Sequence, residues 1–255
     1  MKILYFTTTG NSLYVAKSFD DAKLLSIPQL LKQKIYDIDG DIIGIIIPVY
    51  VYTSPKLVKK YLENVNIKAD YVFVIGTYGS TCGEFGKKML SILSKRGVLV
   101  NYLNTIKMVD NAVHVGFEMK KQKEKSKNLN IDENIKKIIE DINERKDYIK
   151  KPLKRYVPLA RLTYVFSPLL DKIFTKVMIS VDDSCTRCGL CTKVCPYNNI
   201  KIKEKPNYGK DCELCLACVH HCPLKAIHVK LERSSERFIN ENIELKEIIK
   251  SNNQN

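Results

Sequence analysis

Over the first 150 residues, short apolar runs alternate with amphipathic stretches. Lys2 to Phe6 reads as a strand, and Asn11 to Phe19 carries Leu13, Val15, Ala16 and Phe19 in a pattern suited to a helix on a sheet. Ile42 to Ile47 is apolar at nearly every position, as a parallel strand covered on both faces requires. Pro55 stands where a helix begins, ahead of Leu57, Val58, Tyr61 and Leu62. Tyr71 to Ile75 reads as another buried strand. A helix follows from about Glu84 to Lys95, Gly97 closes it, and Val98 to Val100 opens the next strand. Ile131, Ile135, Ile138, Ile142 and Ile149 form one stripe along a last helix. Lys23 to Gly40, where a second strand is due, and the region after Asn104 show no clear pattern. The alternation predicts an α/β doubly wound parallel sheet over residues 1–150.

The pattern changes after Lys150. Residues 151–180 hold Pro152, Pro158 and Pro168 among basic and apolar residues, and predict a partly helical connector packed between two domains. The most apolar window, Val157 to Val181, is broken by Arg161, Pro168, Asp171, Lys172 and Lys176, so it predicts no membrane span. Peripheral contact with a membrane surface is the alternative for so basic a segment. Residues 181–231 form a cysteine-rich unit of small α+β type. Residues 232–255, with Ile239, Ile243, Leu245, Ile248 and Ile249, predict a short helix that frays from Ser251.

Charge and cysteine usage narrow the function. There are 42 Lys+Arg against 28 Asp+Glu, a formal net charge of +14, which suits acidic redox partners. The basic residues are spread along the chain. Their one run, Lys120 to Lys127, reads as a solvated helix face and argues against nucleic acid. The first residues pass directly into a strand, with no secretory pattern, and the expected location is cytoplasmic, where cysteines stay reduced.

Of nine cysteines, Cys82 stands alone and reads as a small buried or loop residue. The others repeat one motif, C-x₂-C-x₂-C-x₃-C-P. It runs through Cys185, Cys188, Cys191 and Cys195-Pro196, then through Cys212, Cys215, Cys218 and Cys222-Pro223. Bacterial ferredoxins hold two [4Fe–4S] clusters at this spacing, and the fourth cysteine of each run serves the other cluster. Cys185, Cys188, Cys191 and Cys222 are therefore expected on one cluster, with Cys212, Cys215, Cys218 and Cys195 on the other. Zinc ribbons and disulfide scaffolds do not call for a third cysteine and a Cys-Pro step, twice. His220 and His221, beside Cys222, read as exposed loop residues. Gly189 permits close backbone approach to its cluster, and Leu216 in its place predicts a slightly different second loop.

Thr7-Thr8-Thr9-Gly10-Asn11-Ser12 follows the first strand and opens a helix. Hydroxyls and amides at a helix N-terminus make an anion site. Neither G-x-x-x-x-G-K-[ST] nor G-x-G-x-x-G is present, so the loop suits a single phosphate monoester. In a sheet of order 2-1-3-4-5, ligands sit at the C-terminal strand ends beside the switch point. Pro48, Tyr50 and Tyr52 follow the third expected strand, and Thr77, Tyr78 and Gly79 the fourth. Their tyrosines lie where a flat ring would stack.

Thr7 to Ser12 resembles the T-x-T-G-N-[ST] phosphate loop of flavodoxins, and Cys185 to Pro223 resembles a bacterial-type ferredoxin. Almost the whole chain resembles the flavodoxin–ferredoxin fusion proteins (EFR-type ferredoxins) found chiefly in anaerobic microbes. The resemblance implies FMN, with Thr7, Thr9, Gly10, Asn11 and Ser12 around its phosphate. Clusters pass single electrons and a flavin holds one or two, so the expected function is an electron relay between them. Two alternatives stand beside it. One is a flavoenzyme fed by the clusters, for which the loops show no acid–base set. The other is a ferredoxin with a non-flavin docking domain.

Overall fold

The computed structural model describes residues 1–151 and 178–254. The expected connector, and the apolar window within it, lie outside the described residues apart from their ends.

Eight strands occupy the N-terminal part: β1 (Lys2–Tyr5), β2 (Lys23–Ser26), β3 (Asp37–Asp39), β4 (Ile42–Pro48), β5 (Asn66–Lys68), β6 (Tyr71–Tyr78), β7 (Tyr102–Lys107) and β8 (Tyr148–Ile149). Six of them form a sheet in the order β2-β1-β4-β6-β7-β8, while β3 and β5 pair separately. Every pairing in the large sheet is parallel. Among the main strands this is the expected 2-1-3-4-5 order, extended at one edge by β8. The helices are α1 (Asn11–Lys17), α2 (Ile27–Gln33), α3 (Lys56–Leu62), α4 (Phe85–Ser94), α5 (Met119–Ser126) and α6 (Ile131–Asn143).

Side chains alternate across the sheet with the two-residue period of a strand. Leu4, Ile43, Ile45, Val72 and Val74 pack on one face with Val58, Tyr61, Met89 and Leu93 of α3 and α4. Ile3, Tyr5, Ile46, Phe73 and Ile75 face the other way, against Leu13 and Ala16 of α1 and Ile135, Ile138 and Ile142 of α6.

Two expectations shift here. Val98 and Val100 are buried but precede the strand, because they pack into the first of these cores as the chain leaves α4. The Asn101 side chain accepts the Val72 amide at 3.0 Å, and the ladder starts only at Tyr102. Ile149 belongs to β8, since α6 ends at Asn143 and the chain turns at Arg145, φ 51°.

The C-terminal unit contains β9 (Ile179–Val181), α7 (Leu190–Val194), β10 (Ile200–Ile202), β11 (Pro206–Tyr208), α8 (Ala217–His220) and β12 (Ile227–Val229). β9 pairs antiparallel with β12, and β10 with β11. Each half of the cysteine repeat thus carries one short helix; the β10–β11 hairpin joins the halves, and β9 and β12 pair the two ends of the unit. The last helix, α9 (Leu245–Asn252), lies against the N-terminal unit.

The two units share cores. Val194, Ala217, Ile243 and Ile248 belong to the same cluster as Ile3, Tyr5 and Phe73. Val113 and Met119, from the excursion between β7 and α6, pack with Cys191, Cys218, Val219 and Phe238. The end of the chain does not fray: Ser251 is 1% and Asn252 0% exposed. The Tyr5 hydroxyl and the Ser251 hydroxyl lie 2.8 Å apart, and Ser26 donates to the Ser251 carbonyl. The Asn252 amide donates to the carbonyls of Thr7 and Val194, one in each unit. These polar residues read as a disordered tail in sequence because their partners lie far back along the chain, from 58 to 246 positions earlier.

Among the described residues, no helix is long and apolar enough to cross a membrane.

Candidate functional site

The loops after β1, β4, β6 and β7 meet at the C-terminal edge of the sheet and enclose a cavity of ≈ 480 Å³. That size lies within the range of small-molecule and cofactor sites, about 300–1,000 Å³. Thr7, Thr9, Asn11 and Ser12 line it from the first loop, Pro48, Tyr50 and Tyr52 from the second, and Thr77, Tyr78 and Gly79 from the third. Gly10 does not line it. Its φ of +103° turns the chain into α1, and an added Cβ would come within 2.8 Å of Asn240 Cβ. The glycine is therefore needed for a left-handed turn beneath the C-terminal segment.

Within this frame, Ser12 Oγ lies 2.8 Å from Thr77 Oγ1, and the Gly10 amide donates to Thr7 Oγ1. Tyr50 is fixed from two sides. Its ring packs edge-on against Phe6 with centroids 6.4 Å apart, and its hydroxyl lies 3.1 Å from Thr8 Oγ1. Burial, and then the proximity of Cys215, hold the Tyr50 phenol far above its ordinary pKa. Tyr50 thus lines the cavity next to Cys215 of the second cysteine loop. Val51 and Tyr52 both adopt left-handed φ values, 44° and 65°, in the tight turn bridged by Tyr50 and Thr53. A β-branched residue in that conformation is a strained position of the kind found at ligand sites.

Sequence reasoning missed two walls. Val109, Asp110, Asn111, His114 and Phe117, after β7, line the cavity, as do Glu213, Leu214, Cys215 and Leu216 of the second cysteine loop. The polar Asp110-Asn111 pair following a strand was the available signal for the first. Nothing local signals the second. His114 Nδ1 is buried without a hydrogen-bond partner, and burial lowers the imidazole pKa while Asp110 opposes the shift. The cavity wall therefore carries an imidazole and a carboxylate that the loop sequences did not reveal.

His220 and His221 are buried, at 2% and 4% exposure, where exposed loop residues were expected. His220 Nδ1 accepts the Phe238 amide and Nε2 donates to the Asn111 carbonyl. His221 Nε2 donates to the Thr8 carbonyl at 2.9 Å. Burial pushes the His220 imidazole down to about 3 and also lowers that of His221, so both are neutral donors that join the units.

Four of the cysteines meet at one place. Cys195, Cys212, Cys215 and Cys218 line one small cavity together with Tyr197 and Tyr208. That is one of the crossed sets, with Cys195 contributed from the other half of the repeat. Cys191 is buried, Cys185 and Cys222 are partly exposed, and Cys188 is exposed. Burial raises the thiols of Cys191 and Cys195 to about 11, and also raises those of Cys212, Cys215 and Cys218. Such groups resist ionisation alone and are suited to partners whose positive charge offsets the desolvation, as iron does. Among the described residues, no three metal-ligating side chains converge tightly enough to share one ion.

The repeat extends to the backbone. Arg187 and Leu214, Gly189 and Leu216, and Asn198 and Lys225 occupy matching places, and all six have left-handed φ values. Leu216 therefore keeps the conformation of Gly189, its strain offset by burial at 3% exposure. Residues 177–223 match the family model of the 4Fe-4S dicluster domain. The C-terminal unit is a 4Fe–4S dicluster domain. All eight paired cysteines fall inside the match, and the dicluster domain presents its second loop to the cavity of the N-terminal unit.

No curated protein sequence matches the chain. Among solved structures, similarity is found to a flavoprotein of Lactobacillus acidophilus NCFM in complex with FMN (15% identity, 41% of this chain and 91% of that one, TM-score 0.30). A two-electron reduced flavodoxin of Megasphaera elsdenii gives 16% identity over 41% of this chain and 83% of that one, TM-score 0.29. The Trp repressor binding protein of Bacillus subtilis gives 10% over 42% and 85%, TM-score 0.29. The N-terminal unit is flavodoxin-like by its strand order, its parallel sheet and the position of its ligand loops.

Proposed function

We propose that this protein is an electron carrier in which two [4Fe–4S] clusters exchange electrons with one FMN. The observation that carries the reading is that Cys215, in the second cysteine set, lines the ≈ 480 Å³ cavity built by the flavodoxin-like loops. A cluster on Cys195, Cys212, Cys215 and Cys218 would border the flavin site directly. Cys188, in the other set, is exposed, which favours that side for contact with an outside protein. The +14 net charge suits an acidic redox partner.

Thr7, Thr9, Asn11 and Ser12 would hold the phosphate with hydroxyls and amides. Gly10 sets the turn between them. Tyr52 and Tyr78 offer faces for the ring, while Tyr50 stands beside Cys215 on the wall that faces the second cluster. FMN supplies a centre that takes up one or two electrons, so single electrons from the clusters can be paired there. The cavity's apolar and hydroxyl walls limit water at the ring, and Asp110 and His114 are placed to hold or move a proton at the cavity wall.

That last pair gives specific support to a second reading, reduction of a small substrate at the flavin. Turnover of a small acceptor by the purified protein, abolished in His114→Phe, would favour it. The relay reading expects anaerobically purified protein to carry about eight iron and eight sulfide and to release one FMN on denaturation. Protein with full clusters and no flavin would instead fit a docking domain.

A further inference from the structure

Three successive carbonyls of the hydroxyl-rich loop are held by the C-terminal part of the chain. The Asn252 side-chain amide donates to the Thr7 carbonyl at 3.0 Å, His221 Nε2 donates to that of Thr8 at 2.9 Å, and the Asn240 backbone amide donates to that of Thr9 at 2.8 Å. Three separate segments supply these donors: the last helix, the step before Cys222, and the strand-free stretch between them. Thr7, Thr8 and Thr9 line the cavity with their other side.

A trans peptide directs its carbonyl and the following N–H to opposite sides, and no cis peptide occurs among the described residues. The Thr7 and Thr8 carbonyls drawn toward the dicluster side therefore turn the amides of Thr8 and Thr9 away from it, toward the cavity, while the Gly10 amide is taken by Thr7 Oγ1. An anion site made of backbone amides depends on that orientation, because no cation side chain is present in Thr7 to Ser12 to replace it. Left without a donor, a buried carbonyl would turn to find water, and the amide would turn with it.

We propose that His221 and Asn252 are positioning residues for phosphate binding, so that the C-terminal part of the chain sets the affinity of the flavodoxin-like loop for the phosphate of FMN. The proposal rests on the FMN reading and adds that the loop is not self-sufficient. Flavodoxin-like loops are local in sequence; this one takes its orientation from residues more than 200 positions away.

The test compares FMN with riboflavin, which lacks the phosphate, on the full-length, cluster-loaded chain by quenching of flavin fluorescence. His221→Leu removes the donor to Thr8, and Asn252→Leu removes the donor to Thr7 along with the one to Val194; each is expected to weaken FMN about tenfold, the effect of one well-placed hydrogen bond to the loop. Riboflavin affinity should stay within about twofold, since the loop reaches only the phosphate. His221→Gln, which keeps a side-chain N–H, should recover most of the loss. If His221→Leu loses iron, Asn252→Leu, which gives up only the Val194 carbonyl on the dicluster side, carries the test. Unchanged FMN affinity in the iron-replete variants would overturn the proposal, and so would equal losses for FMN and riboflavin. Wild-type protein that binds neither flavin would overturn the FMN reading itself.

Discussion

Ile248→Ala probes whether the flavodoxin-like unit and the dicluster domain stand or fall together. Ile248 is 0% exposed and lies in α9, within a core that includes Ile3, Tyr5 and Phe73 on one side and Val194 and Ala217 on the other. The change removes three carbons, worth about 2.4 kcal/mol at roughly 0.8 kcal/mol each. The cavity left behind adds to this, and buried large-to-alanine changes cost about 2–5 kcal/mol. We expect a loss of about 3–4 kcal/mol. With a urea slope of about 3 kcal/mol per molar, the apparent midpoint falls by about 1 M. Urea unfolding under anaerobic conditions, followed by far-ultraviolet circular dichroism and by iron–sulfur absorbance, reads the two units separately. Both transitions should move together. A shift in one signal with the other unmoved would refute the shared core.

Three further predictions follow from the geometry. Cys195→Ser should disturb the cluster of Cys212, Cys215 and Cys218, while Cys191→Ser disturbs the other; electron paramagnetic resonance of the reduced variants distinguishes the two, and the reverse assignment would contradict the crossed sets. Gly10→Ala places a Cβ 2.8 Å from Asn240 at φ +103°, and should cost about 1–3 kcal/mol together with weaker FMN retention, read by thermal melting and flavin release. His228 Nε2 lies 2.9 Å from Asp182 and Nδ1 2.5 Å from Glu232, which itself pairs with Arg237. The Asp182 and Glu232 hydrogen bonds raise the His228 pKa. Its contribution is therefore present below the ordinary histidine value, about 6.5, and is lost as pH rises through the raised value. Amide exchange at Ile227 to Val229 should speed up across that window and lose the dependence in His228→Gln; exchange that is pH-independent after correction for the intrinsic rate would count against it.

Features written in local spacing were legible in the sequence. The dicluster domain follows from one repeated cysteine motif, and Ile42 to Ile47 announces a strand covered on both faces. Thr7 to Ser12 announces a hydroxyl-rich turn into a helix, and all but Gly10 line the cavity. Features made by distant partners were not legible. His220 and His221 look solvent-bound until Asn111, Thr8 and Phe238 surround them. Ser251 and Asn252 look like a frayed end until Tyr5, Ser26 and Thr7 supply their partners. Ile149 continues a helical stripe by count, and only the turn at Arg145 moves it onto a strand. Leu216 argues against the turn it adopts, because burial at that position outweighs the backbone preference.

The central claim is that flavin and clusters exchange electrons inside one chain. Stopped-flow mixing of the oxidised holoprotein with a one-electron donor, recording cluster bleaching and flavin reduction at several protein concentrations, tests it most directly. The account predicts that flavin reduction follows cluster reduction at a rate independent of protein concentration, and that Cys215→Ser slows it. Flavin reduction that scales with protein concentration, or that proceeds unchanged without the clusters, would contradict it.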